Sequence, residues 1–210
     1  MLVVCAMHHP AYSQHTPESS RTVTEMMDEK LSRLEKKDLT TGILYDRVAD
    51  YAHLTTFNQT ENLSNVKHFT QAWSELYRAS YRATFTHPKQ LTPAITTGRA
   101  YDVVNIGIIN ASFNILNTGK NAGIEIKDDF IVRKPDRKAF LEKHVTIISP
   151  LTTKAWGEKI TFKFDDAHIL QNGPKQIVEL TVDFGNGQTY RTGIMYDPNY
   201  YKQSTRWPVK

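Results

Sequence analysis

Apolar residues recur at helical spacing in the first half of the chain and alternate with polar ones in the second. Val23, Met26, Met27, Leu31 and Leu34 fall on one side of a helix predicted over about 23–37, with Thr22 or Thr24 as cap and Glu25 in the first turn. Lys36 and Lys37 suit its C-terminal end. Val66, Phe69, Trp73, Leu76 and Tyr77 form a second stripe, predicting an amphipathic helix over about 65–84 capped by Ser64 or Asn65. Pro88 and Pro93 end it and open a linker over roughly 86–98. Beyond the linker, β-branched runs take over: Val103–Ile109, then Phe113–Leu116 after a polar interval, then Ile124–Val132 folded about Asp128-Asp129. A short helical turn is expected at 135–142, followed by strands at Val145–Ile148, Ile160–Phe164, Ile177–Phe184 and Tyr190–Met195. Ile160, Phe162 and Phe164 alternate with Thr161 and Lys163 as a half-buried antiparallel strand requires.

The pattern predicts an α+β chain: a helical N-terminal segment with its linker over 14–98, then an antiparallel β-sandwich over 99–210. No strand is evident over 196–210, so the sandwich is expected to stop short of completion. Residues 1–13 read as the remnant of an export signal. An apolar run holds Cys5, His8-His9-Pro10 breaks it, and Ala11 and Ser13 stand at −3 and −1 before Gln14. Removing that run leaves a chain without cysteine, which excludes disulfides and cysteine-based metal sites. With Lys+Arg at 26 and Asp+Glu at 22, net charge +4, and no basic block, nucleic acid is not an expected partner. No later stretch has the ~20 apolar residues of a membrane span.

Two segments carry a resemblance. Thr41-Gly42-Ile43-Leu44-Tyr45-Asp46-Arg47-Val48, followed by Leu54-Thr55-Thr56-Phe57-Asn58 and a Trp/Tyr-bearing helix, resembles the N-terminal region of large secreted surface proteins of gliding-type bacteria, which often end in a sorting domain. Leu180-Thr181-Val182-Asp183-Phe184-Gly185-Asn186-Gly187 is similar to the strand and turn of a PKD-type or other immunoglobulin-like sandwich, with Asn186 in place of the usual Asp and Val182 in place of the usual Trp. The resemblance implies a secreted or cell-surface protein, with neighbouring domains of a larger parent, cell-surface polysaccharide or protein as partners.

The chemistry is sparse. Gly-x-Ser-x-Gly, His-Glu-x-x-His and the phosphate-cradling glycine motifs are all absent from the sequence, so neither a catalytic residue nor a cofactor is assigned. Asp46-Arg47, charged within an apolar segment, is expected to be a structural ion pair, with a binding or catalytic pair as the alternative. Asp183 and Asn186 are weak calcium candidates; a hairpin turn explains them better. Asp165-Asp166 is a second such pair. Trp73, Tyr77 and Tyr81 form a possible binding stripe, although such stripes are more often core. The sequence therefore predicts a non-catalytic extracellular structural or binding module. An accessory region of a secreted hydrolase, with the catalytic domain beyond residue 210, is the alternative. A small enzyme using Asp46, His53 or His68 as acid–base groups has least support.

Overall fold

In the computed structural model the described residues are 22–47, 54, 64–81, 86–96, 102–152, 155, 160–172, 177, 179–183, 189–193 and 206–209. The expected signal region (1–13), His53 and the turn carrying Asn186 lie outside them.

The architecture is α+β. Among the described residues three helices, α1 (Val23–Lys30), α2 (Val66–Arg78) and α3 (Thr92–Thr96), precede eight strands: β1 (Val103–Leu116), β2 (Ile124–Lys127), β3 (Phe130–Arg133), β4 (Phe140–Pro150), β5 (Ile160–Gln171), β6 (Glu179–Asp183), β7 (Thr189–Gly193) and β8 (Arg206–Val209). The main sheet has the order β4-β1-β5-β8, while β2–β3 and β6–β7 are separate hairpins. Its centre differs from the antiparallel expectation. β1 pairs antiparallel with β4 but parallel with β5, and β5 is antiparallel only to β8. Side-chain alternation has the same period in both kinds of pairing, so it could not reveal the direction of the partner.

Local chemistry sets the helix ends. Thr22 and Glu25 form a reciprocal capping box on α1. The helix stops at Lys30, short of the expected 37, and turns plus a 3-10 segment at Lys36–Asp38 carry Leu31, Leu34 and Leu39 into the interior. The Asn65 side chain accepts from the His68 N–H at 3.0 Å and caps α2. α2 ends at Arg78, not 84, because the chain there joins the segment at 42–44. Leu44 N–H donates to the Ala79 carbonyl, and Tyr81 N–H to that of Gly42. The expected linker holds a 3-10 turn at Pro88–Leu91 and then α3. Proline suits the start of a helical turn, where its missing N–H has no partner to lose.

β1 is one continuous strand of 14 residues rather than two short ones. On one face Ile109, Ala111 and Phe113, with Val145 and Ile147 of β4, pack against Phe69, Ala72, Trp73 and Leu76 of α2. Gly107 lies under that helix: a Cβ there would meet the Phe69 ring at 2.4 Å. The same core holds Ile43, Leu54 and Leu91, so it crosses residue 98, where the sequence placed its boundary. On the other face Val104, Ile106 and Ile108 cluster with Leu180 of β6. A third cluster joins Leu31, Leu34, Leu39 and Leu44 to Leu116 and Phe140.

The β2–β3 hairpin turns on Asp128 and Asp129, both left-handed (φ 50° and 65°), the two-residue turn that matches strand twist. Arg33 lies 3.9 Å over the Phe130 ring, and Lys30 and Arg33 pair with Asp129 and Asp128, tying the α1 region to the hairpin. Where a short helical turn was expected over 135–142, residues 135–139 form turns and bends, with Asp136 left-handed at φ 58°, and β4 begins at Phe140. Arg206–Val209, a stretch not expected to contain a strand, forms β8 at the edge of the sheet, where Pro208 is tolerated.

Candidate functional site

The residues singled out in the sequence have distinct fates. The Asp46 carboxylate accepts the Leu116 N–H at 2.9 Å. Partial burial raises its pKa, and that N–H opposes the rise, although the residue keeps solvent contact. The side chain of Arg47 lies outside the described set. Asp46 thus acts on the backbone of β1, a partner 70 positions away that no local pattern could reveal. The backbone of Asp183 closes the β6–β7 ladder opposite Thr189. The aromatic stripe is divided. Trp73 is fully buried and its Nε1 donates to the Thr86 carbonyl at 2.9 Å, so it belongs to the core. Tyr77 meets the His87 ring edge-on at 4.8 Å. Tyr81 lies under Lys36, whose Nζ is 4.3 Å from the ring centre. His68 is exposed beside its own cap residue Asn65. Among the described residues no three His, Cys, Asp or Glu side chains gather as metal ligands would, and no helix is long and apolar enough to cross a membrane.

Two polar constellations went unnoticed in the sequence. The first is a hub on the face of β1 away from α2. The Ser112 hydroxyl is 3.1 Å from His144 Nδ1, and His144 Nε2 is 2.9 Å from Asn110 Oδ1, which also accepts from Thr146 at 3.3 Å. Ser112 and His144 are direct cross-strand partners. The edge of β1 beyond β5 is completed piecemeal. Asn172 offers its amide like a strand, with Oδ1 accepting the Ser112 N–H (2.7 Å) and Nδ2 donating to the Ser112 carbonyl (2.8 Å). Ile43 O then takes the Asn114 N–H, and Asp46 the Leu116 N–H. The Asn114 Oδ1 accepts from the Thr41 hydroxyl at 2.6 Å. Serine, histidine and asparagine in contact suggest a nucleophile, but Ser112 is only 1% exposed, so no substrate reaches its hydroxyl in this arrangement.

The second constellation is open to solvent. Between the pairs Ile106–Phe164 and Ile108–Ile169, β1 advances two residues while β5 advances five. The extra residues bulge, and bulges redirect side chains. Asp165 Oδ1 accepts the Ala167 N–H at 3.0 Å and closes the bulge. Lys163 Nζ lies 3.3 Å from Asp165 Oδ2. These residues, with His168, Asn105, Val103 of β1 and Pro93 and Ala94 of α3, line a depression of about 330 Å³. The Asn105 side chain donates to the Ala94 carbonyl at 3.2 Å and fixes the α3 wall.

The bulge also sets the protonation states. The Ala167 N–H holds the Asp165 carboxyl below its usual range against some opposition from burial, with Lys163 and His168 adding to the lowering. Burial pushes the His168 imidazole below the usual histidine range, partly offset by Asp165. His168 is 8% exposed, and its Nδ1 is buried without a hydrogen-bond partner. At neutral pH the depression therefore holds a carboxylate and a neutral ring. In the sequence Asp165 stands out only as half of an acidic pair, and His168 belongs to no motif. The available signal was Lys163 and Asp165 at i, i+2, which places them on one side of a strand.

No protein-family model, curated protein or solved structure matches this chain.

Proposed function

We propose that the chain is a structural or binding module, without catalysis of its own, in a larger secreted bacterial surface protein. The open depression at the β5 bulge carries the binding half of this reading, since concave sites lined by a few convergent polar groups and an apolar wall are where ligands are held. The structural half is supported by the use made of the other polar side chains: Thr41, Asp46 and Asn172 each bond a group of β1. The surface location rests on the resemblance of residues 41–58 and on the signal-like run before Gln14. The finer reading of residues 99–210 as an immunoglobulin- or PKD-like sandwich is supported by the β6–β7 hairpin and by Leu180 packing with Val104, Ile106 and Ile108 as a second layer. The parallel β1–β5 pair is a departure from that class.

The test is a retention assay of the purified chain on immobilised cell-surface polysaccharide and surface protein, with ester, peptide and glycosidic reporters followed in parallel. Retention without turnover is expected. Turnover abolished by Ser112→Ala would overturn the reading in favour of an enzyme, and absence of retention on every surface would remove the binding half.

A further inference from the structure

We infer that the depression between α3 and the β5 bulge takes one uncharged sugar unit of a surface glycan, held by Asn105, Lys163, Asp165 and His168. The inference rests on reading the chain as a binding module and names the ligand class of that same site.

Charge comes first. Lys163 and Asp165 neutralise each other at 3.3 Å, and the His168 ring is largely withdrawn from solvent. A ligand with net charge would bring one unmatched charge against a surface whose own charges cancel. A neutral polar ligand leaves the pair intact.

The unused hydrogen-bonding capacity is mixed. The Lys163 ammonium has three donors and commits one to Asp165. Asp165 receives Ala167 N–H on one oxygen and Lys163 on the other, leaving lone pairs on both. The Asn105 amide gives one N–H to Ala94, which leaves its second N–H and its Oδ1. The His168 ring also lines the depression, and its buried Nδ1 has no partner within the protein. Donors and acceptors thus sit side by side. A hydroxyl, which donates and accepts at once, fits such a lining without a fixed orientation. Several hydroxyls on one small ring fit it best.

Size and wall agree. A volume of about 330 Å³ lies at the small end of ligand sites, the scale of a single ring rather than an extended chain. Pro93, Ala94 and Val103 supply an apolar side, against which the C–H face of a pyranose can lie. The opening to solvent lets the rest of a glycan run outward.

The experiment uses the full chain and a panel of neutral oligosaccharides of glucose, galactose, mannose and N-acetylhexosamines, with matched uronate oligosaccharides and short peptides. Binding is read by calorimetry and by the NMR signals of the His168 ring and Lys163 ammonium. At least one neutral oligosaccharide should shift both signals saturably. Asp165→Asn, which keeps an acceptor for the Ala167 N–H, should weaken binding roughly tenfold, the size of one lost charge-assisted hydrogen bond. Lys163→Gln is the second variant, and circular dichroism confirms that each is folded. Saturable binding of uronates or peptides alone, or no binding in the panel, overturns the inference. So does neutral-sugar binding that both variants leave unchanged. If the variants are still retained on surface polysaccharide, this site is wrong while the binding module stands; if the native chain is not retained, the module reading itself fails.

Discussion

Along its C-terminal part, beyond Ile108, the two faces of β1 answer the same demand, burial in mid-sheet, by opposite means. Facing α2, Ile109, Ala111 and Phe113 meet Phe69 and Trp73 in close apolar packing. Facing away, Asn110, Ser112 and Asn114 are equally inaccessible, at 4%, 1% and 3%, yet every one is polar and hydrogen-bonded. The first face is stabilised by area and is forgiving of direction. The second depends on named partners from distant segments, and it fails when one partner goes. A buried polar row holds only while it is satisfied throughout.

The largest expected effect lies on the apolar face. Trp73→Ala should lower unfolding free energy by about 3–5 kcal/mol, read from urea titration, because a filled core site becomes a cavity. A loss below about 1 kcal/mol would show that α2 is not the main cover of that face. Gly107→Val should cost roughly 1–3 kcal/mol by overpacking against the Phe69 ring and the Leu151 side chain. Phe69→Leu in the same chain should restore part of that loss, and additive losses in the double variant would mean that the two do not touch.

The polar face is tested by Asn172→Ala, which leaves the N–H and carbonyl of Ser112 without their partner and should cost about 1–3 kcal/mol. Asn172→Asp keeps the acceptor and loses the donor, so it should fall between alanine and the native chain. Equal stability of all three would remove the claim that a side chain completes the strand. Asp46→Ala should cost less, about 0.5–1.5 kcal/mol, since the residue keeps solvent contact and water can replace the lost bond.

The smallest effect is a pH dependence. His168 is depressed in the folded state, so the unfolded chain binds its proton first. The stability it contributes is complete above the ordinary histidine value of about 6.5 and is lost as pH falls through the lower folded value. Asp165, also depressed, adds a further loss below about pH 4. Melting temperature should therefore decline on acidification from neutrality, and His168→Leu should flatten the first part of the decline. A profile unchanged by that substitution would refute the assignment to His168.

How far the sequence showed the fold depended on whether the pattern was local. The α2 stripe was legible because Phe69, Trp73 and Leu76 share a turn-to-turn period and a nearby cap. The β2–β3 hairpin was legible because its two strands meet across Asp128-Asp129. β1 was read as two runs because Asn110, Ala111 and Ser112 break the β-branched pattern, and only the cross-strand partners make them strand. The direction of β5 was invisible for the same reason. The depression needs a bulge, and a bulge is defined against a neighbour, so His168 could not be placed beside Lys163 and Asp165 from spacing alone.

The piecemeal edge of β1 has a consequence for the order of assembly. Thr41 and Asp46 precede their partners by 73 and 70 positions, and Asn172 follows Ser112 by 60. A chain growing from its N-terminus presents the early staples long before β1 exists, and β1 long before Asn172 arrives. The amides of Ser112, Asn114 and Leu116 should therefore be among the last to gain protection in pulsed hydrogen exchange, because loops of this length close late. Until then the strand offers an open row of N–H groups to any other chain in reach, and the hazard of misassembly is concentrated in that interval.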